Sequence, residues 1–390
     1  MVYAGIDVAK DKHEALVLDS DGVILAGPFS FNNDRQGFSA FLSTLCSVCP
    51  DFSTLSVGLE ATGHYSNNLV AFLLEHDISP IVLNPLHTNL YRKSLSLRKT
   101  KTHKLDAHAI VTMLQTECFD SVKFADKTLD ELKALTHYRF SLVQECAKLK
   151  NSYARLCVVL FPELEKVVSD LKQASVYALL SALPSSSSIA SCHLTRLTHL
   201  LSAHSNGRYG RKKALAIRNA ARSSIGSDSP VQSLELKQTI ALIQVLEDQI
   251  VAVEQMITPL VDSLHSPLLS VPGISYTLAS MIIAETGNFK SFHRAQQVLA
   301  FAGLQPSVYQ SGHLASSHAK MVKRGSKYLR YALFNAAKHV CIWDDTFSAY
   351  LAKKRAEGKA YNVAVSHAAK KLTRVIFHLV KTDQPFKRQR

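Results

Sequence analysis

Two apolar runs of this chain each end on a carboxylate. Val2–Asp7 (VYAGID) and Leu55–Glu60 (LSVGLE) read as short buried strands, each with its acid at the last position. An ionised carboxylate at the end of a buried strand costs stability unless it is paired or metal-bound. Two of them on adjacent strand ends repel unless a cation sits between.

The text around these runs alternates between strand and helix. Glu14–Leu18 is a second strand, Asp19–Gly22 a turn and Val23–Phe31 a third strand, which together make a meander. Arg35–Cys49 places Phe38, Phe41, Leu42 and Leu45 at a helical period. His64–His76 reads as helical, and Ile81–Leu83 as a strand closed by Asn84-Pro85. Three strands, helix, strand, helix, strand, helix is the order of the ribonuclease-H-like fold. Its mixed sheet gathers acidic side chains at neighbouring strand ends.

A third acid, Asp106, follows a basic loop and opens a helix, DAHAIVTMLQ, whose apolar face is Ala107, Ile110, Val111 and Leu114. His103 stands three residues earlier, so both can project toward one point from the helix start. Asp7, Glu60, Asp106 and an imidazole suit Mg²⁺ or Mn²⁺, hard ions that favour oxygen ligands. Two such ions stabilise the attacking and leaving oxygens of an in-line phosphoryl displacement. Singly, each acid has an ordinary alternative: an N-cap for Asp106, a turn acid for Asp7, a local lysine partner for Glu60. Their conjunction with the strand order favours a metal site. Arg92, Lys93, Arg98, Lys99, Lys101 and Lys104 form a basic collar able to neutralise backbone phosphates.

Composition agrees with a polyanionic partner. The 390 residues carry 45 Lys+Arg against 31 Asp+Glu, a formal +14, which favours a phosphate polymer or an anionic surface. No apolar run approaches the roughly 18 residues needed to span a membrane. The opening MVYAGIDVAKDKHE acquires acids too early for a signal peptide, so the expected setting is the cytoplasm. Seven cysteines (46, 49, 118, 146, 157, 192 and 341), mostly in apolar helical text, read as reduced core thiols. Cys46 and Cys49 have redox or zinc spacing, but no second pair sits at finger-like distance, so packing is the preferred reading.

Near Leu129 the composition changes. Leu129–Leu160 is continuous helix text ended by Phe161-Pro162, and Ser185–Ser188 and Asn206–Lys213 punctuate a loosely structured middle. Gln232–Leu260 carries Leu234, Ile240, Ile243, Leu246, Ile250, Val253 and Ile257 at near-heptad spacing. It can form a coiled coil or pack on Leu129–Leu160. The expected organisation is a metal-binding domain at 1–128, a helical coiled-coil arm at 129–262 and a mainly helical domain at 263–390. In the last, Val271-Pro272-Gly273-Ile274 has the spacing of a helix-hairpin-helix element, whose glycine turn lets backbone N–H groups approach a DNA phosphate. Further on, GLQPSVYQSG ends in Ser311-Gly312, followed by Lys320, Lys323, Arg324, Lys327 and Arg330, with Gly325 starting a helix. A serine hydroxyl near cations could attack a phosphodiester and hold a covalent bond to it.

Taken together these segments resemble the DEDD transposases of the insertion-sequence 110 family, relatives of the Piv DNA invertase. The resemblance rests on GIDVAKD, VGLEATGHY and RKTKTHKLDAHAI at the front. At the back it rests on LLSVPGISYTLASMIIAETGNF, LAFAGLQPSVYQSG and KRGSKYLRYALFNAAKH. It implies a RuvC-like N-terminal domain, a coiled-coil arm and a C-terminal transposase domain with a nucleophilic serine. It also implies Mg²⁺ or Mn²⁺, donor and target DNA, a noncoding bridge RNA, and assembly as dimers and tetramers. By motif, Asp7 takes the first acid, Glu60 the second, Asp106 the last and Ser311 the nucleophile. His103 stands where the family usually has its third acid. Two other functions fit the residues: a RuvC-like endonuclease that cuts branched DNA with water, and a nucleic-acid-binding protein without catalysis. GID also opens sugar kinases of the actin-like fold, but the text from Leu129 onward offers no second glycine-rich phosphate loop.

Overall fold

The computed structural model describes residues 1–60, 63–95, 102–116, 127–289, 291–306, 310–311, 314–315 and 321–388. The chain divides into two compact units, Met1–Asp126 and Lys127–Arg390.

The first unit is built on a five-stranded mixed sheet. Its strands are β1 (Val2–Asp7), β2 (Lys12–Asp19), β3 (Ile24–Asn32), β4 (Leu55–Glu60) and β5 (Ile81–Leu83). They lie in the order β3-β2-β1-β4-β5. β1, β2 and β3 pair antiparallel, whereas β4 and β5 run parallel to β1. This is the strand order and mixed direction expected of a ribonuclease-H-like domain. The helices are α1 (Arg35–Val48), α2 (Asn67–Glu75), α3 (Pro85–Leu95) and α4 (His103–Thr116). Asp34 caps α1 by accepting the Gly37 N–H at 2.7 Å, which satisfies one of the helix's orphan donors.

Alternation along β1 sends successive side chains to opposite faces. Ala4 and Ile6 join Phe38, Phe41 and Leu45 of α1 and Leu69 and Leu73 of α2 in one core. The other face belongs to α4, where Ala107 and Val111 pack on Leu16 and Leu18. Ile110, Met113 and Leu114 cover Ile81 and Leu83. Fully burying such a side chain contributes about 1.5–3 kcal/mol, so the fold rests on both faces being covered.

Two long helices organise the second unit, α5 (Lys127–Leu160) and, later in the chain, α11 (Pro230–Ser263). Ion pairs Arg139–Glu254 (2.6 Å), Lys150–Glu247 (2.6 Å) and Arg155–Glu235 (2.7 Å) fix them side by side and antiparallel. Of the near-heptad positions, Ile240, Ile243, Val253 and Ile257 are buried, while Leu234 is exposed. Between the two come α6 (Leu164–Val167), α7 (Ala174–Ala182), α8 (Ser186–Ser191), α9 (Leu194–Ala203) and α10 (Arg211–Arg222). The expected loosely structured middle is therefore corrected. Leu164, Val176, Leu180, Ile189, Leu197, Leu201 and Ile217 form a core with the far end of α5 and the near end of α11. Its serine run is a helix start: the side chains of Ser185 and Ser188 bond each other's backbone N–H in a capping box.

The opposite ends of α5 and α11 pack with α12 (Tyr276–Thr286), α13 (Ala295–Phe301), α14 (Lys327–Trp343), α15 (Asp345–Ala356) and α16 (Tyr361–Thr382). Two short strands, β6 (Gln310–Ser311) and β7 (Leu314–Ala315), pair antiparallel. Among the described residues, no helix is long and apolar enough to cross a membrane.

Candidate active site

The carboxyl ends of β1 and β4 lie side by side, because the parallel register pairs Ile6 with Leu59 and leaves Asp7 and Glu60 at the rim. Asp7 projects toward α4, on the same face as Gly5. That helix comes close only because the strands carry glycine beneath it. A Cβ on Gly5 would lie 2.6 Å from the Ala107 carbonyl oxygen and 2.6 Å from the Val111 nitrogen. On Gly58 it would lie 2.6 Å from Leu114 Cδ1. The glycines of GID and VGLE are thus what allow the first turn of α4 to sit over the strand ends.

Helix α4 begins at His103, so Asp106 lies within its first turn rather than opening it. An acid there interacts favourably with the positive end of the helix. His103 Nδ1 stands 2.7 Å from Asp7 Oδ2. Asp106 turns elsewhere: Arg92 Nη1 donates to its Oδ1 at 2.6 Å, while Arg92 Nη2 donates to Asn89 Oδ1 at 3.0 Å. Glu60 Oε2 accepts from the buried Thr88 hydroxyl at 3.0 Å. Asp7 and Asp106 are each 8% exposed, so neither charge is left to water. All four predicted ligands line one open cleft of ≈ 530 Å³, together with Lys10, Thr88 and Arg92.

As they lie, no three His, Cys, Asp or Glu side chains among the described residues stand close enough together to hold an ion. The donor set nevertheless fits a hard divalent ion. Three carboxylates share the cleft, and two of them already lean on a positively charged or protonatable partner. Oxygen donors of this kind suit such an ion.

The collar divides. Arg92 and Lys93 belong to the last turn of α3, a helix where a basic loop was expected. Lys93 and Lys104 are exposed, whereas Arg92 faces Asp106. Arg98, Lys99 and Lys101 lie outside the described residues.

In the second unit, Ser311 ends β6 opposite Leu314. Lys323, Arg324 and Lys327 are exposed around the start of α14, which is capped by Ser326 just after Gly325. Arg330 is structural in its contacts, donating to the carbonyls of Ala302 (2.9 Å) and Lys323 (3.2 Å). Gly273 has the positive φ (+84°) of a tight turn, and a Cβ there would meet His339 of α14 at 2.9 Å.

Comparison with known proteins then decides the family. Residues 4–162 match the family described as "Transposase" (DEDD_Tnp_IS110), and residues 265–352 match "Transposase IS116/IS110/IS902 family". The chain belongs to the IS110 family of transposases. It is thereby an enzyme that cleaves and rejoins DNA. An uncharacterized 44.8 kDa protein of insertion element IS116 from Streptomyces clavuligerus is 22% identical, across 99% of this chain and 96% of that one. The pilin gene-inverting protein of Moraxella bovis is 24% identical, across 98% and 97%. T. thermophilus RuvC in complex with a Holliday junction substrate matches 31% of this chain and 99% of its own at 13% identity. The TM-score of that match is 0.23.

Several side chains of this transposase's cleft escape sequence reading. Thr88, Asn89 and Arg92 come from α3, a helix that Asn84-Pro85 hides by reading as the stop after a strand. Pro85 at the first helical position and the i,i+3 and i,i+4 spacings from Asn89 and Thr88 to Arg92 were the available signal. A second cluster, in the C-terminal unit, gave no such sign. Buried Glu285 of α12 lies 2.6 Å from His137 Nε2 of α5 and accepts from the Ser326 hydroxyl. His137 also stacks on Tyr328, with ring centroids 3.7 Å apart. Burial alone would raise the Glu285 carboxyl, but the bonds from His137 and Ser326, with Lys133 nearby, hold it below the ordinary range.

Proposed function

We propose that this chain is the transposase of an insertion sequence that cuts DNA through a serine and a divalent-ion centre. The observation that supports this best is the convergence of Asp7, Glu60, His103 and Asp106 on one cleft. In this reading Asp7, Glu60, Asp106 and the His103 imidazole hold Mg²⁺ or Mn²⁺, and His103 also orients Asp7 from the helix start. When bound, the ion would supply Lewis-acid stabilisation of the phosphoryl oxygens during displacement. Arg92 keeps Asp106 compensated and aimed into the cleft. Exposed Lys93 and Lys104 take backbone phosphates, as do Lys323, Arg324 and Lys327 in the other unit, with an affinity that falls steeply with salt.

The nucleophile is Ser311. Its Oγ forms a bond to the phosphorus as the bond from phosphorus to the sugar oxygen breaks. The serine proton leaves to solvent, and the departing oxygen takes up a proton. Attack by a second sugar hydroxyl on the phosphoserine reverses these changes and rejoins the strand without external energy. The paired helices α5 and α11 serve as the arm through which copies assemble as dimers and then tetramers, bringing serine and acids together. A structured noncoding bridge RNA selects donor and target, which the net charge of +14 accommodates.

A denaturing gel separates this mechanism from hydrolysis by water. Wild-type protein should become covalently attached to DNA carrying the element's ends, and Ser311→Ala should form no adduct and no cut product. Cleavage by Ser311→Ala at the wild-type rate would overturn the serine step. Recovery of fully active protein free of any discrete RNA would overturn guidance.

A further inference from the structure

The antiparallel register of β1 and β2 sets Glu14 directly opposite Asp7. Residues so paired project from the same face of a sheet, with Cβ atoms about 4.5–5.5 Å apart. That face is the one α4 covers. Two residues back, the pair is Gly5 and Leu16, and both positions abut Ala107 and Val111 of α4. Glu14 is 8% exposed. Its Oε2 accepts from the hydroxyl of Ser30 at 2.6 Å, Ser30 being its register partner on β3. Its Oε1 is buried and has no hydrogen-bond partner among the described residues.

An ionised carboxylate oxygen left bare in the interior costs more than an ordinary lost hydrogen bond. A second carboxylate directly across the sheet adds like-charge repulsion. Hydrophobic packing does not require an acid here, since Leu16 and Leu18 occupy the same face two and four residues on. A cation beside Asp7 would answer both costs at once. The Ser30 bond meanwhile fixes the carboxyl plane so that only one oxygen is committed.

We propose that Glu14 is a further member of the divalent-ion site, contributing its free Oε1 oxygen beside Asp7. The proposal rests on the reading of Asp7, Glu60, His103 and Asp106 as that site. It adds to them a carboxylate that lies outside all four motif positions and does not line the open cleft.

The test uses the full-length chain after chelation and Mn²⁺ as the probe. Mn²⁺ affinity is measured by calorimetry and by the EPR signal of free Mn²⁺, and melting temperature is measured in chelator and in Mn²⁺. Glu14→Gln keeps the side-chain shape and an acceptor for Ser30 but removes the charge. It should weaken Mn²⁺ binding about 10–100-fold and shrink the rise in melting temperature that Mn²⁺ produces. Should Glu14→Gln fail to fold, Glu14→Asp, which withdraws the carboxylate by one methylene, should weaken Mn²⁺ binding in the same sense. Wild-type affinity and a wild-type Mn²⁺ increment in the folded variant would overturn the proposal, whatever its stability in chelator. Wild-type protein and Asp7→Asn, run alongside, separate the two failures. If wild-type binds Mn²⁺ and Asp7→Asn does not, an unaffected Glu14→Gln removes Glu14 alone. If wild-type binds none, the ion site itself falls and Glu14 with it.

Discussion

Arg92 of α3 and Asp106 of α4 meet at 2.6 Å, the guanidinium standing against the carboxylate on the cleft wall. The pair makes the helix pair α3/α4 a wall of the cleft and compensates an acid that is nearly buried. Arg92→Gln should therefore destabilise the ion-free protein by about 1–3 kcal/mol, the cost of leaving a buried acceptor unpaired. Added Mn²⁺ should raise the melting temperature of Arg92→Gln more than that of wild-type, because the ion takes over the missing compensation. Thermal melts in chelator and in Mn²⁺ check both parts.

The glycine of GID has a defined steric task. In Gly5→Ala the new Cβ meets backbone atoms of Ala107 and Val111 at 2.6 Å, which no side-chain rotation relieves. The helix must lift, at about 1–3 kcal/mol, and His103 moves off Asp7 with it. In Gly58→Ala the obstacle is the end of the Leu114 side chain, which can turn. Urea denaturation should rank Gly5→Ala as the more destabilised of the two, and Mn²⁺ affinity should fall more in Gly5→Ala.

His103→Asp tests the departure from the family's acid set. An aspartate there places like charge where an imidazole now lies 2.7 Å from Asp7. The ion-free protein should lose stability, and the ratio of Mg²⁺-supported to Mn²⁺-supported cleavage should rise as the donor set becomes all oxygen. Melting in chelator and parallel cleavage rates in the two metals measure these effects.

Glu285 predicts an acid-dependent lock in the C-terminal unit. Its carboxyl titrates below the ordinary value of 4.5, so its stabilisation is complete above that pH and is lost as pH falls through the folded value. Glu285→Gln should cost about 1–3 kcal/mol at neutral pH. The gap from wild-type should narrow as pH falls below about 4.5. Urea denaturation across pH 3–7 reads that gap.

Much of the first unit was legible because its strands are short, apolar and closed by turn residues. Val2–Asp7, Leu55–Glu60 and Ile81–Leu83 end where the pattern places them, and with them the positions of Asp7 and Glu60. What pattern cannot supply is partnership across the chain. The reach of Arg92 to Asp106 spans 14 residues, and the bond of Thr88 to Glu60 spans 28. Helix α3 was hidden because Asn84-Pro85 reads as a stop after a strand, although proline is equally suited to a first helical turn. The middle of the chain misled for a related reason. Helices as short as Leu164–Val167 and Ser186–Ser191 give too few turns to show a period, and serine at a cap looks like serine in a loop.

Divalent-ion-dependent cleavage of DNA carrying the element's own ends tests the account most directly. The protein, with any co-purified RNA, is stripped by chelator and then supplied with Mg²⁺ or Mn²⁺. Wild-type should cut only when the metal is restored. Asp7→Asn, Glu60→Gln and Asp106→Asn should each lower the rate by about a hundredfold or more while remaining folded. Cutting that persists in chelator, or at the wild-type rate in Asp7→Asn, would contradict the assignment of this cleft as the centre of strand cleavage.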